Sequence, residues 1–128
     1  MTAMEQLQAI LDAALDGGAD YAEARAVDAY WESVAIKGYS IAGVQSGELA
    51  ALSVTVRMGS GVGMASIRNP LRREIRNAAL VAVEQARAST ILGERELLPR
   101  PEREPEVGEW EQRVDVDPFG QTFETRAA

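Results

Sequence analysis

The hydrophobic positions of the first sixteen residues recur at the spacing of an amphipathic helix. Thr2 suits the N-cap of this helix, and Gly17 with Gly18 suits its C-terminal stop. The sequence therefore predicts a helix over residues 3–16. Its apolar face is formed by Leu7, Ile10, Leu11, Ala14 and Leu15.

The hydrophobic period changes to two after Asp20, where alanines alternate with larger side chains, and this is typical of a β-strand. Alanine favours helices over strands, so propensity and periodicity disagree in this segment. We interpret it as a strand because two glycines have just ended a helix and because Tyr, Trp and Val follow. A second strand is predicted over 31–37, and it is followed by turn points at Gly38, Gly43 and Gly47.

The clearest strand signal lies at 50–67. One side of the predicted strand is apolar and carries Leu52, Val54, Val56 and Met58. A Gly59-Ser60-Gly61 turn then leads into the strand sequence VGMASI, so a hairpin is predicted.

A second long helix is predicted from Asn69 to about Ser89, with Asn69 as its cap and Pro70 at its first position. Because its apolar stripe is mostly alanine, this helix has to approach its sheet closely. The stripe consists of Leu71, Ile75, Ala78, Ala79, Ala82 and Ala86.

Together these elements predict an α+β fold. It has an N-terminal helix, an antiparallel sheet of about four strands with a glycine-turn hairpin, and a second long helix packed on the sheet. The core domain is expected over 1–92. Residues 93–113 combine prolines with dense mixed charge and are predicted to form a strap or linker, called the strap below. Residues 114–128 are interpreted as a tail leading toward a following region.

Composition narrows the classes of function. The chain has 128 residues, a net charge of −7 and a pI near 4.6, which argues against nucleic acid and anionic membranes as partners. The aromatic share of 5% predicts an aliphatic, alanine-rich core. The N-terminus lacks the basic region of a signal peptide and no apolar run is long enough to span a bilayer, so a cytoplasmic location is expected.

The chain contains no cysteine and no histidine. This excludes disulfides, thiolate metal sites, and Ser-His-Asp, Cys-His or HExxH chemistry within the chain. We therefore expect no complete catalytic or metal site here and no cofactor bound by this chain. Carboxylate chemistry stays open. Asp115 and Asp117, spaced by two, are interpreted either as an exposed strand edge or as the carboxylate pair of an oxygen-ligand metal or carboxylate enzyme. The glutamates of the strap lack EF-hand spacing and indicate a solubilising segment.

Two local patterns have competing interpretations. The GSGVG run at 59–63 matches neither phosphate-loop spacing, and a hairpin turn explains its three glycines better. Arg68, Arg72 and Arg76 lie four apart and are interpreted as one stripe near the start of the second helix. The stripe is either a solvated face or a contact for an acidic partner such as the Glu-rich strap.

Trp31 and Trp110 are candidate contact residues, because tryptophan is enriched at interfaces. Trp110 lies among charges, so it either anchors the strap or contacts another chain. The residues predicted to contact a partner or a peptide are Trp110, Trp31, Arg72 and Arg76.

Four segments share their order and spacing with a known family. They are GADYAEAR, LSVTVRMGSGVGMAS, AALVAVEQARAS and DVDPF. The chain thereby resembles the N-terminal domain of the TldD/PmbA family, proteins once named modulators of DNA gyrase. The resemblance implies a cytosolic zinc metallopeptidase system that acts on peptides and pairs as homo- or heterodimers. Its zinc motif contains histidine and lies beyond this domain, so no family catalytic residue maps onto this sequence.

The resemblance implies a non-catalytic N-terminal domain, or a fragment containing it, that contributes to dimerisation and to the substrate path. Zinc is expected in the full family system rather than in this chain, and the ending FETRAA is interpreted as favouring a fragment. Peptide could add to an exposed sheet edge as another strand. The alternative is a stand-alone protein-interaction module without peptidase function. The charge balance gives no support to a gyrase partner.

Overall fold

The computed structural model describes residues 1–93, 104 and 106–128, and it has the predicted α+β class. Three strands form one antiparallel sheet in the order β1-β2-β3. The helices and strands are α1 (Ala3–Asp16), β1 (Tyr21–Lys37), β2 (Ser40–Met58), β3 (Gly61–Arg68), α2 (Arg72–Ser89) and α3 (Phe123–Ala127). Short 3-10 turns occupy Thr90–Leu92 and Pro118–Gly120. None of the helices in the described part of the chain is long and apolar enough to cross a bilayer.

The chain divides into two compact units. The first comprises Met1–Ala29 and Glu48–Leu98, and the second comprises Tyr30–Gly47 and Pro99–Ala128. Each unit is described by itself below. Most of the predicted strap, including residues 94–103 and 105, lies outside the described residues.

Helix α1 has the predicted bounds and the predicted cap. The Thr2 hydroxyl accepts a hydrogen bond from the Glu5 N–H at 3.2 Å, and the Glu5 carboxylate accepts one from the Thr2 N–H at 2.6 Å. This reciprocal capping box lowers the pKa of Glu5, with the Thr2 backbone donor as the largest cause. On the predicted apolar face Ile10 and Ala14 are fully buried, whereas Leu15 is half-exposed.

The prediction of about four strands was wrong, because residues 21–37 form one continuous strand instead of two. Among the three glycines predicted as turn points, only Gly38 has a left-handed backbone, with φ of 64°. Gly43 and Gly47 lie inside β2, where antiparallel pairing satisfies the backbone. A glycine permits a turn without requiring one, so glycine positions alone overestimated the number of turns.

The β2–β3 hairpin agrees with the prediction. Its register pairs Arg57 with Val62 and Met58 with Gly61, and Gly59 turns the chain with φ of 54°. The apolar side of β2 forms part of the core of the first unit. The buried residues on this side are Leu52, Val54 and Val56.

Asn69 does not cap α2, contrary to the prediction. Its backbone has φ of 46°, and its N–H donates to the Ala50 carbonyl at 2.9 Å, so it closes the end of the β2–β3 ladder. Asparagine tolerates this left-handed conformation better than most residues. The helix begins two residues after Pro70, at Arg72, where the Glu74 carboxylate accepts from the Leu71 N–H at 3.1 Å. Leu71 is consequently exposed instead of buried.

Helix α2 approaches the sheet closely, as its alanine stripe predicted. A methyl group at Gly63 would overlap the backbone carbonyl of Ala82, and one at Gly61 would overlap the carbonyl of Ala86. Gly61 and Gly63 therefore serve the contact between β3 and α2. The interpretation that the hairpin turn explains all three glycines of the GSGVG run was wrong for these two.

Candidate interaction surfaces

The four predicted contact residues fall in both units. Arg72 and Arg76 belong to the first unit, and Trp31 and Trp110 belong to the second.

Arg72 and Arg76 line a groove between α1 and α2 with a volume of about 380 Å³. We call this the α1–α2 groove. Across it from the arginines lie Asp12 and Asp16, which are also one helical turn apart. Between the walls are mostly small and aliphatic side chains, namely Ala9, Ala13, Ile75 and Leu80.

The charges on the two walls of the groove are not paired with each other. Within the described residues, no nitrogen of Arg72 or Arg76 lies within 4.0 Å of an oxygen of Asp12 or Asp16. The Asp12 carboxylate accepts from the Gln8 amide at 2.7 Å on its own helix. The groove therefore presents separate acidic and basic walls.

Arg68 does not belong with the two groove arginines. It ends strand β3, so helical spacing does not apply to it, and it does not line the groove. The predicted stripe of three arginines was wrong in this respect, because Arg68 precedes even the predicted start of the helix and belongs to β3.

The outer edge of β3 is closed by side chains of α2. The Ser89 hydroxyl accepts from the Val62 N–H at 2.8 Å and lies 3.1 Å from the Val62 carbonyl, to which it can donate. The Gln85 side-chain oxygen accepts from the Met64 N–H at 3.1 Å. Since these groups would be needed to pair with an incoming strand, β3 is a poor site for strand addition.

Strand β1 forms the other edge of the sheet and has one strand neighbour, β2, among the described residues. The Asp20 N–H, just before β1, donates to the Arg57 carbonyl of β2 at 3.0 Å. Because backbone groups alternate along a strand, the Glu23 N–H points to the outer side. At Arg25 the carbonyl instead faces β2, since it lies 3.4 Å from the Ser53 hydroxyl, which can donate to it. Glu23 and Arg25 are both exposed.

The second unit contains a polar cluster that the sequence did not predict. The Tyr30 hydroxyl donates to Glu32 Oε1 at 2.6 Å, and Arg126 Nη1 lies 2.6 Å from Glu32 Oε2. The side chains of Glu32 and Arg126 are only 13% and 18% exposed. The Tyr30 hydrogen bond is the largest cause of a lowered pKa for Glu32, and the Arg126 guanidinium also lowers it.

Aromatic contacts connect the C-terminal segment to the same cluster. The Tyr30 and Phe119 ring centroids are 5.2 Å apart, and the Arg126 guanidinium lies 4.7 Å from the centroid of Phe123. Thr122 caps α3 by accepting from the Thr125 N–H at 3.2 Å. The predicted tail thus folds against residues of β1, and the short aromatic run FGQTFE was the one local signal for this.

Trp31 packs on the backbone of β2 within the second unit. A methyl group at Gly47 would lie 2.8 Å from Trp31 Nε1, so the ring covers this glycine while remaining 47% exposed. Trp110 is 84% exposed. Whether Trp110 anchors the strap or contacts another chain stays a prediction.

Asp115 and Asp117 have structural partners of their own. Asp115 lies 3.4 Å from Arg113, and Asp117 accepts from the Phe119 N–H at 2.9 Å, which caps a 3-10 turn. In the part of the chain that the structure describes, no three acidic, histidine or cysteine residues are grouped so that they could hold a metal ion. Of the strap glutamates, Glu94, Glu96 and Glu102 lie outside the described residues.

Comparison with known proteins gives one informative result. No family model matches the sequence, and no curated protein matches it. Among solved structures, TldE from Thermococcus kodakarensis is similar, with a TM-score of 0.51 and 14% sequence identity. The match covers 81% of this chain and 23% of TldE, so this chain spans less than a quarter of that protein. At this identity the likeness concerns the fold, and the chain has a TldD/TldE/PmbA-like fold.

Proposed function

We propose that the chain is a non-catalytic domain of a TldD/PmbA-type zinc metallopeptidase system that acts on peptides. Its part would be to make dimer contacts and to guide an extended peptide toward a zinc site carried elsewhere. The observation that carries the proposal is the TldE-like fold over 81% of the chain. The described residues contain no ligand set suited to zinc, so no chemical step is assigned to this chain.

The two edges of the sheet support a path along β1. An extended peptide gains affinity by hydrogen bonding its main chain to an unpaired edge. On β3 the Val62 and Met64 donors are already used by α2. On β1 the outer N–H group of Glu23 has no strand beyond it among the described residues. Strand addition is therefore assigned to the outer edge of β1.

Side chains at this edge would give some preference among peptides. Glu23 and Arg25 alternate with small, partly buried alanines, so both charges lie on the exposed face. A peptide strand beside them meets one acidic and one basic side chain. Cross-strand pairs of opposite charge stabilise a sheet by about 0.2–1 kcal/mol, so peptides of mixed charge should bind slightly better than strongly acidic ones.

The proposal is tested with a fluorescein-labelled, unstructured Val/Thr-rich peptide and fluorescence anisotropy. Glu23→Pro removes an outer donor and should weaken binding, because proline has no N–H yet is tolerated on edge strands. Glu23→Ala is the matched control, since it removes the same carboxylate and keeps the donor. Equal binding by the two variants would rule out the β1 edge.

The link to a peptidase needs a second measurement. The chain is mixed with a zinc-loaded, histidine-containing TldD-type subunit, and complex formation and peptide cleavage are followed together. The proposal predicts a complex and a changed cleavage rate. Peptide binding without any effect on such a subunit would favour a stand-alone interaction module instead.

A further inference from the structure

We infer that the α1–α2 groove is the surface on which a second copy of this chain docks, in a two-fold symmetric pair. The inference rests on the dimer contacts of the proposed function and names the surface that makes them.

One charged residue at an end of each helix has the sign that the dipole of its own helix disfavours. Asp16 is the last residue of α1, and Arg72 is the first residue of α2. The C-terminal end of a helix carries partial negative charge and the N-terminal end partial positive charge. Neither residue has an ion pair within 4.0 Å among the described residues. The Arg72 charge does act on Glu5, whose pKa it helps to lower, but the dipoles of the two helices do not favour Asp16 and Arg72 at these positions.

The two helices run in the same direction. Near the start of both, Glu5 and Arg72 line one shared cavity. Toward the other end, a methyl group at Gly17 would lie 3.3 Å from Val83 of α2. The acidic wall on α1 and the basic wall on α2 are thus side by side and parallel.

This arrangement is self-complementary, which a two-fold interface requires. A two-fold axis parallel to the helices places α1 of one copy over α2 of the other and keeps the helix directions. Asp12 and Asp16 of each copy then face the arginine wall of its partner. An axis across the helices would place aspartate over aspartate, so the charge pattern selects the first arrangement.

The residues between the walls suit a docked helix. Ala9 and Ala13 are small enough to let another helix approach, and Leu80 is 39% exposed with an apolar side chain available for burial. Apolar contact surrounded by charged groups is the ordinary anatomy of a protein interface.

The test is a charge-swap experiment on the full chain. One variant is Asp12→Arg/Asp16→Arg and the other is Arg72→Glu/Arg76→Glu. Each should weaken self-association roughly tenfold or more, measured by sedimentation equilibrium, because like charges then face each other. An equimolar mixture of the two variants should recover a one-to-one pair. Both variants should fold, since all four residues are exposed and the changes at positions 16 and 72 place charge at helix ends as the helix dipole favours.

The control is Arg68→Glu/Arg73→Glu, which changes net charge as much as the arginine swap but alters exposed residues outside the groove. It should leave self-association unchanged. The inference is overturned if the native chain stays monomeric, which is also the result expected if the strap covers the groove. It is equally overturned if the mixture does not pair.

Failure of this inference and failure of the proposed function are distinguishable. A native pair that is insensitive to both charge reversals would exclude the groove and leave the dimer contacts of the proposed function standing. A chain that associates neither with itself nor with a TldD-type subunit would refute both.

Discussion

Gly63→Ala is the sharpest available test of how the first unit is held together. A Cβ at this position would overlap the Ala82 carbonyl oxygen and would lie 2.6 Å from the Ala86 backbone nitrogen. The obstacles are backbone atoms in the middle of α2, which cannot rotate away as a side chain can. The helix would have to move away from β3, and its alanine contacts with the sheet would be lost along with the overlap.

The expected loss is about 3 kcal/mol or more, the upper part of the range for overpacking a core. A domain of this size has roughly 5–15 kcal/mol of total stability, so the variant should be severely destabilised. Ala82→Gly should not rescue it, because the overlapping atom belongs to the backbone of Ala82 rather than to its methyl group.

Urea denaturation followed by circular dichroism at 222 nm gives the free energy of unfolding, since α1 and α2 dominate the helical signal. Gly43→Ala is the control, because that glycine lies in β2 with open space around a Cβ and no left-handed backbone. It should be neutral or slightly stabilising, by less than about 1 kcal/mol. If Gly63→Ala stayed within about 0.5 kcal/mol of the native chain, the argument for close helix–sheet contact would fail.

Two further predictions concern the cap of α1 and the polar cluster of the second unit. Thr2→Ala removes the hydroxyl acceptor of the capping box and should lower the free energy of unfolding by about 1 kcal/mol, measured by urea denaturation. Thr2→Ser keeps the acceptor and should be nearly neutral. Equal stability of the two variants would contradict the cap. The Tyr30 hydrogen bond and Arg126 lower the pKa of Glu32 in the folded chain, so its stabilising contribution is present above the ordinary glutamate value of 4.5 and is lost as the pH falls through the folded value. Glu32→Gln should therefore lower the midpoint of the unfolding transition at neutral pH and make that midpoint depend less on pH in the acid range. Tryptophan fluorescence is the readout, because both tryptophans lie in the second unit. Glu111→Gln, which changes an exposed carboxylate of that unit, should have neither effect, and an unchanged acid dependence in Glu32→Gln would exclude the ion pair as its source.

The elements predicted best from the sequence are those whose signals are local. Helix α1 was located to the residue because a cap, an apolar period and a glycine stop agree within one short segment. The β2–β3 hairpin was located for the same reason, since its strands alternate on both sides of a glycine turn.

Errors arose where a residue suits two backbone conformations. Asn69 is as suitable for a left-handed turn as for a helix cap, and only its contact with Ala50 of β2 decides between them. Gly43 and Gly47 permit turns, but pairing along β2 keeps them extended. Gly61 and Gly63 are needed because of α2, which comes later in the sequence, so the hairpin alone could not reveal their role.

The polar cluster of the second unit was missed because its members lie far apart in the sequence. Glu32 lies in a strand and Arg126 in a short terminal helix, and nothing near either residue in sequence indicates the other. Each is unremarkable alone, since an isolated glutamate or arginine usually lies in solvent. Their pairing accompanies the contact of the Phe119 ring with Tyr30, which holds the C-terminal segment beside β1 within the second unit. The interpretation of 114–128 as a tail assigned no contact to its aromatic residues, whereas the Phe119 ring packs 5.2 Å from that of Tyr30.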